Sequence, residues 1–378
     1  MRLSAIRLTN FRNFTDQRLD LPAAGVAIIG DNGHGKTNLL EAIYYLEIFR
    51  SFRGADDEQL VRFGEDIFRV EGVVERDDRP HQRVAAAFDR KLRKKKVTID
   101  RVEPERLGAA IGRVGTVIFS PSDVAIVSGS PSLRRRFLDI VLSLTEGRYL
   151  EDLQRYRQIL AQRNALLRAG EAPSLVSAWN DGLVYAGSRI VAARLSWVAE
   201  RRGAFAAQVR RIAGGGDATL EYETSLALEA SDTAPKAEVI AEVFALELAR
   251  VADRERRQGA SIVGPHRDDL RIRAAPAGRD WIDLRVFGSG GQQRTAAVAL
   301  RIVEGETLRD RLGSEPIILL DDVFAELDIG RSRRILEWVG AEDRAQVILT
   351  APKSSDLDLR GRSLSAWSIQ DGTFDEIR

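Results

Sequence analysis

The eight residues Gly30-Asp31-Asn32-Gly33-His34-Gly35-Lys36-Thr37 restrict the possible fold more than any other part of this chain. They satisfy G-x-x-x-x-G-K-[ST], a pattern that carries weight only between a strand and a helix. Both neighbours are present. Val26-Ala27-Ile28-Ile29 is a short apolar, partly β-branched run that reads as a buried strand. Beyond Thr37, the residues Leu39, Leu40, Ala42, Ile43 and Leu46 recur at helical spacing. Strand, loop and helix together read as a phosphate-binding loop in an α/β fold. Its glycines let backbone N–H groups turn inward around phosphate oxygens, and the helix N-terminus adds partial positive charge. Lys36 is expected at the β- and γ-phosphates of ATP, and the Thr37 hydroxyl on Mg²⁺. Asp31, Asn32, His34 and Asn38 complete the set of expected nucleotide-binding positions.

Two further strings belong to the same chemistry. Ile317-Ile318-Leu319-Leu320 reads as a central strand buried on both faces. Asp321 stands at its C-terminal end, where it can hold the metal, and Asp322 follows as the residue that orients or deprotonates the attacking water. Upstream, Gly288-Ser289-Gly290-Gly291-Gln292 precedes the mostly apolar helical run Ala296 to Val303. Ser289 and the amides of Gly290 and Gly291 are expected to form an anion site at that helix's start. The string is similar to the L-S-G-G-Q signature of ABC-type ATPases, with Gly in place of the first Leu. Ala325-Glu326-Leu327-Asp328 follows the carboxylates at D-loop spacing, with Ala325 where Ser is usual. That resemblance implies two ATP molecules sandwiched in a head-to-tail homodimer, each capped by Ser289 to Gln292 of the opposite subunit. Many ABC ATPases carry a His after the strand that Gln346 to Thr350 forms here. Thr350 at that position counts against a transporter subunit, and Asp322 where fast ABC ATPases have Glu leaves a plain scaffold without hydrolysis as an alternative.

Residues 38–287 separate the loop from the signature, far more than a transporter ATPase uses. No internal repeat is evident there. Val114 to Phe119 reads as a strand ended by Ser120-Pro121. A helix is expected from Ser132, with Leu133, Phe137, Ile140, Val141 and Leu144 on one face. A second is expected through Leu150 to Leu160 up to Gly170, a third from Leu175 to about Val209, and a fourth from Pro235 to Arg256. No heptad repeat of great length is present, which excludes a long coiled-coil arm. The expected organisation is an ABC-type ATPase head, a mixed sheet flanked by helices. It is built from residues 1–120 and 260–378, with an inserted, mainly helical lobe at 121–259.

Additional strings match across essentially the whole chain. They are Leu8-Thr9-Asn10-Phe11-Arg12-Asn13-Phe14, Ser51-Phe52-Arg53, Arg134-Arg135-Arg136-Phe137-Leu138-Asp139, Gln162-Arg163-Asn164-Ala165-Leu166-Leu167 and Gly264-Pro265-His266-Arg267-Asp268-Asp269-Leu270. In this order they resemble the RecF family of bacterial recombination-mediator ATPases. The resemblance implies a cytoplasmic, ATP-dependent DNA-binding protein that recognises gapped DNA at junctions of single and double strands. It implies work with RecR and RecO to help RecA replace single-strand-binding protein, and a place in DNA repair, replication and the SOS response. It also implies weak, DNA-stimulated ATP hydrolysis. A nuclease that joins a related ATPase to a catalytic domain is the rival reading, and no acidic metal-binding domain is expected beyond residue 378.

Bulk composition narrows the partners. With 57 basic and 56 acidic residues the net charge is +1, so any nucleic acid must be met by local patches. There is no cysteine, which excludes disulfides and thiolate metal sites. Met1 to Arg7 lacks the apolar core of a signal peptide, and no apolar run approaches the roughly 18 residues of a membrane span. The basic run Lys91, Arg93, Lys94, Lys95, Lys96 is either a phosphate-neutralising patch or a solvated hairpin edge. Arg134, Arg135 and Arg136 open a helix, facing DNA or ATP or pairing with Asp139 or Glu146. Arg12 either approaches the nucleotide or forms an ion pair at the core edge. His266 and Arg267 read as structural or nucleotide-sensing rather than catalytic. The absence of an aromatic stacking platform points to sequence-independent DNA binding.

Overall fold

A computed structural model describes residues 1–76, 79–229, 234–275, 280–322, 345–352 and 364–377. They form two compact units, one of residues 1–123 with 304–378 and one of residues 124–303.

The first unit contains two sheets with a helix between them. Strands β1 (Arg2–Phe11), β2 (Phe14–Asp20), β4 (Ile67–Arg76), β5 (Arg79–Asp89) and β6 (Lys94–Ile99) form an antiparallel sheet in the order β2-β1-β4-β5-β6. Strands β3 (Gly25–Ile29), β7 (Thr116–Phe119), β11 (Ile317–Asp321), β12 (Val347–Ala351), β13 (Ser365–Gln370) and β14 (Thr373–Ile377) form the second, ordered β14-β13-β3-β12-β11-β7. In this sheet β13, β3, β12, β11 and β7 run parallel, and β14 is an antiparallel edge. Strands buried on both faces need apolar side chains at every position, not alternate ones. Ile317 to Leu320 and Val347 to Leu349 supply them, and all are buried.

Helix α1 (Lys36–Ile48) lies between the sheets, which is why it is apolar nearly all round and buried from Leu39 to Ile48. The short α2 (Asp57–Leu60) follows it. Each fully buried leucine or isoleucine of α1 contributes about 2 kcal/mol of transfer free energy. On β4, Gly72 lets α1 approach: a Cβ there would lie 2.6 Å from the Leu46 side chain and 2.8 Å from that of Leu3. Two buried polar side chains join the layers. Gln346 donates to the carbonyls of Leu3 and Pro22 and accepts from the Leu3 amide. Glu47 of α1 accepts from the amide and hydroxyl of Thr116 on β7. Gly25 begins β3 at φ 110°, and a Cβ there would lie 1.8 Å from the Val347 carbonyl oxygen.

The second unit is mainly helical. It holds α3 (Val124–Ser128), α4 (Pro131–Thr145), α5 (Tyr149–Ala169), α6 (Pro173–Ser177), α7 (Asn180–Ala213), α8 (Ala237–Gln258) and α9 (Leu284–Phe287). Strands β8 (Asp217–Glu223), β9 (Asp269–Ala275) and β10 (Ile282–Asp283) form a small antiparallel sheet. The final helix, α10 (Gly290–Leu312), begins in this unit and ends in the other. Gly170, Gly214 and Gly259 close α5, α7 and α8 in the left-handed conformation.

Three expectations differ from what is observed. The helix expected from Leu175 is two helices, α6 and α7, parted at Ala178-Trp179. In α4, Leu133 is 38% exposed while Arg134 is buried, so the inward face is Arg134, Phe137, Leu138, Val141 and Leu142. The cause is Asp269 on β9, which draws the Arg134 guanidinium inward. Finally, residues 260–303, grouped above with the C-terminal ATPase part, fall in the mainly helical unit.

Candidate nucleotide site

The phosphate loop joins β3 to α1. Gly33 and Gly35 have φ of 92° and 111°, a region that other residues enter only with strain, and a Cβ on Gly33 would meet open space. The ammonium of Lys36, 4% exposed, donates to the carbonyls of Gly30 at 2.6 Å and Asp31 at 3.2 Å, and lies 3.5 Å from the Asn32 side-chain oxygen. Lys36 thus points along the inside of its own loop, as a phosphate-binding lysine must.

The loop is braced from two sides by residues that the motif does not contain. Asn13, in the turn between β1 and β2, donates to the His34 carbonyl at 3.0 Å and accepts from the Asn38 amide at 2.8 Å. From the turn between β13 and β14, the Asp371 amide donates to His34 Nδ1 at 3.0 Å, and the Gly372 amide to the His34 carbonyl at 3.1 Å. Gly35 must be glycine here, because a Cβ would stand 2.6 Å from the Asn13 amide nitrogen.

Arg12 takes the second of its two alternatives. Its guanidinium grips Glu41 of α1 bidentately at 2.8 and 2.9 Å, and donates to the Gln59 carbonyl. Glu41 is fully buried and also accepts from the Ser51 hydroxyl. Arg53 lies 3.8 Å from the same carboxylate and donates to the Asn38 side-chain oxygen at 3.3 Å. The family strings around Arg12, Asn38 and Ser51 to Arg53 therefore converge on one network behind the loop.

The two carboxylates sit beside the loop's end. The Thr37 hydroxyl donates to Asp321 at 2.7 Å. Burial is the largest influence on Asp321 and raises its pKa above the ordinary carboxylate value; the adjacent negative charge of Asp322 adds to this, and the Thr37 and Thr350 hydroxyls oppose it. A hydroxyl and a carboxylate in contact are hard oxygen donors of the kind Mg²⁺ takes alongside phosphate oxygens. Asp322 adopts φ 45°, and its amide donates to the Thr350 hydroxyl at 3.1 Å. Thr350 pairs with Asp321 in the β11–β12 register, and its hydroxyl is 3.2 Å from the Asp321 carboxylate and 3.4 Å from that of Asp322. It holds both acids in place, a role not legible from its identity alone. The D-loop string Ala325 to Asp328 lies outside the described residues.

The signature string is the start of α10. Gln292 donates from its amide to the Ser289 hydroxyl at 3.3 Å, and its side-chain oxygen accepts from the Ser289 amide at 2.9 Å. S-x-x-Q is thereby a reciprocal cap on the helix. Ser289 and Gly290 are exposed, and a Cβ on Gly290 would meet nothing.

The residues assigned to DNA divide into two groups. Arg134 and Lys95 are removed from any DNA surface. Arg134, 2% exposed, forms a bidentate pair with Asp269 and donates to carbonyls of Val127 and Gly129. Lys95 donates to the Phe49 carbonyl, pairs with Asp57 at 2.8 Å and lies over the Tyr45 ring; burial holds its pKa below the ordinary lysine value. Lys94 and Lys96 are exposed on the edge strand β6, with Lys96 3.8 Å from Glu103. Arg93 is exposed and pairs with Glu58, and Arg135 donates to the Asp268 carbonyl. The Gly264-to-Leu270 string forms the hub of the second unit. His266 contacts the Tyr156 hydroxyl at 2.6 Å, and burial lowers its pKa to about 4. Asp268 accepts from Tyr222 and Ser225. Arg267 donates to the Ser261 carbonyl, and these partners favour the structural alternative for His266 and Arg267.

Comparison with known proteins agrees with the motifs. The RecF/RecN/SMC N terminal domain family matches residues 2–372. The chain is 33% identical to the DNA replication and repair protein RecF of Bacillus velezensis, covering 95% of each chain. It is 32% identical to that of Bacillus subtilis, covering 99% of this chain and all of the other. A solved structure of the recombination mediator protein RecF with ATP, in the RecFOR pathway, superposes with a TM-score of 0.89 at 31% identity, covering 100% of this chain and 97% of that one. The Smc head domain of Pyrococcus furiosus shares the fold at a TM-score of 0.58 and 14% identity. The chain belongs to the RecF family of DNA replication and repair ATPases, with the ATPase head fold common to RecF and SMC proteins.

Proposed function

We propose that the protein is an ATP-switched DNA clamp of recombinational repair. Two copies close head to tail around two ATP molecules on gapped DNA, at junctions of single and double strands, and help load RecA together with RecR and RecO in the cytoplasm. The observation that carries this reading is the Thr37–Asp321 contact beneath a loop braced at His34, together with an exposed, Ser289-capped helix in the same chain. Thr37 and Asp321 would hold the Mg²⁺ that accompanies ATP, and the bound ion supplies charge neutralisation at the phosphates. Lys36 exchanges its loop carbonyls for phosphate oxygens. Asp322, fixed by Thr350, orients the attacking water, and Ser289 with the amides of Gly290 and Gly291 caps the partner's nucleotide. Hydrolysis is slow and serves as a switch. To move closure from 1:99 to 99:1, ATP must favour the closed state by about 5.5 kcal/mol, which two cross-subunit contacts share. DNA is met without base readout by exposed cations such as Lys94 and Lys96.

The test is fluorescence anisotropy of labelled gapped duplex with ATP, with ADP and without nucleotide. Tight binding with ATP alone, lost in Lys36→Ala, is expected. Equal binding under all three conditions would refute the clamp.

A further inference from the structure

Three consecutive residues of α9, Arg285, Val286 and Phe287, are exposed just before the signature string. Val286 is 65% and Phe287 71% exposed, whereas Leu284 is the buried residue of this helix, which packs against α3 and β9. The turn is fixed at both ends. The Asp283 side chain caps it by accepting from the Arg285 amide at 2.8 Å. The Leu284 carbonyl accepts from the Gly288 amide at 3.2 Å and from the Gln293 side chain at 2.8 Å. A Cβ on Gly288 would lie 2.4 Å from that same carbonyl oxygen. The leucine that opens L-S-G-G-Q therefore does not fit at 288, and apolar side chains stand one and two residues earlier.

Isolated exposed hydrophobic residues are ordinary on a protein surface. Val286 and Phe287 differ in being adjacent, held in one geometry and next to a helix start that can bind an anion. Phe287 is two residues from Ser289, so their Cα atoms are at most about 7 Å apart. A body that brings an anionic group to Ser289 and Gly290 must close over Phe287 as well. The charges beside the pair are the exposed Arg285 and the Asp283 carboxylate, which is committed to the Arg285 amide and lies 3.9 Å from Arg271. An apolar centre with charge at its edge is the make-up of a protein interface. DNA phosphates would find no partner in Val286 or Phe287. Aromatic side chains at interface centres carry much of the binding energy, and a turn held before association loses little freedom on docking.

We propose that Val286 and Phe287 form an apolar knob that docks on a second copy of this chain when Ser289 caps that copy's nucleotide. The inference rests on the head-to-tail dimer proposed above and deepens it. Nucleotide phosphate supplies the polar contact at Ser289, and the knob supplies the apolar contact beside it. A two-fold pairing buries the knob twice. Removing the phenylalanine side chain weakens each contact about 10-fold, and the dimer about 100-fold.

The test is sedimentation velocity of the full-length chain over a concentration series with the slowly hydrolysed analogue ATPγS. Phe287→Ser should raise the dimer dissociation constant about 100-fold and Phe287→Leu far less, with the melting temperature and the monomer's affinity for a fluorescent ATP analogue unchanged. The chain has no cysteine, so Val286→Cys carries a single thiol. Its reaction with a maleimide should slow about 10-fold once about 90% of chains are paired, since only the open form reacts, and should be unaffected by ATPγS at concentrations too low for pairing. Should Phe287→Ser melt early, this labelling decides. Protection at every concentration means cover from within the same chain and overturns the proposal. A Phe287→Ser dimer constant within about twofold of the parent's also overturns it and leaves the clamp standing. A parent that stays monomeric with ATPγS refutes the clamp itself, and the knob falls with it.

Discussion

Asn13 is nowhere in the phosphate-loop motif, yet its side chain is one of the two props that hold His34 in place. Asn13→Ala removes the 3.0 Å bond to the His34 carbonyl and the 2.8 Å bond from Asn38. Both are partly buried, so each is worth about 1 kcal/mol, and about 2 kcal/mol is at stake. The brace from Asp371 and Gly372 remains, so the fold should survive. The loss should fall on the order of the loop, because both broken bonds end on it or on the first turn of α1. Nucleotide must then supply that order on binding, and the dissociation constant should rise roughly 30-fold for 2 kcal/mol. The assay is titration with a fluorescent ATP analogue, paired with thermal melting without nucleotide. An affinity within about twofold of the parent, with a lowered melting temperature, would refute the reasoning. Asn13 would then be a strut of the β1–β2 turn and not part of the nucleotide site.

Gly25→Ala should abolish soluble expression, because its Cβ would overlap the Val347 carbonyl and φ is 110°. Asp322→Asn should slow hydrolysis and lengthen the life of an ATP-bound dimer in size-exclusion chromatography; a dimer no longer-lived than the parent's counts against Asp322 as the water-orienting acid. Lys94→Glu should weaken DNA binding and flatten its salt dependence while leaving the melting temperature unchanged, whereas Lys95→Ala should lower the melting temperature, since Lys95 is bound to Asp57 and Phe49. His266 is held at about 4 against 6.5 in the unfolded chain, so the unfolded state binds the proton first; stability is fully present above 6.5 and falls as pH drops towards 4. The difference is worth on the order of 3 kcal/mol, and urea denaturation of wild type and His266→Gln at pH 7 and pH 4.5 should show the steeper loss of stability in the wild type.

What the sequence disclosed was local in origin, and what it concealed depended on remote partners. Strand β3, the loop and α1 were readable because apolar periodicity, glycine and a Lys-Thr pair all lie within a few residues of one another. The helix end at Gly170 was readable for the same reason: a left-handed terminal residue needs no information from elsewhere. Arg134 and Lys95 were not, because a cation is buried only where a carboxylate waits. Asp269 lies 135 positions from Arg134, and Asp57 lies on a different element from Lys95. Once Arg134 turns inward, Leu133 must turn outward, so a single distant pair rotates the apparent face of α4. The same logic extends to the nucleotide site. Lys36, Thr37 and Asp321 have residue types that announce their chemistry, but Asn13, Thr350 and Asp371 act through an amide, a hydroxyl and a backbone N–H that occur everywhere. The signal that would find them is geometric: a loop with two residues at φ near 100° needs outside hydrogen bonds, and only the folded chain says which turns provide them. The motif therefore specifies what the site binds, and the two bracing turns determine how well the loop is held ready to bind it.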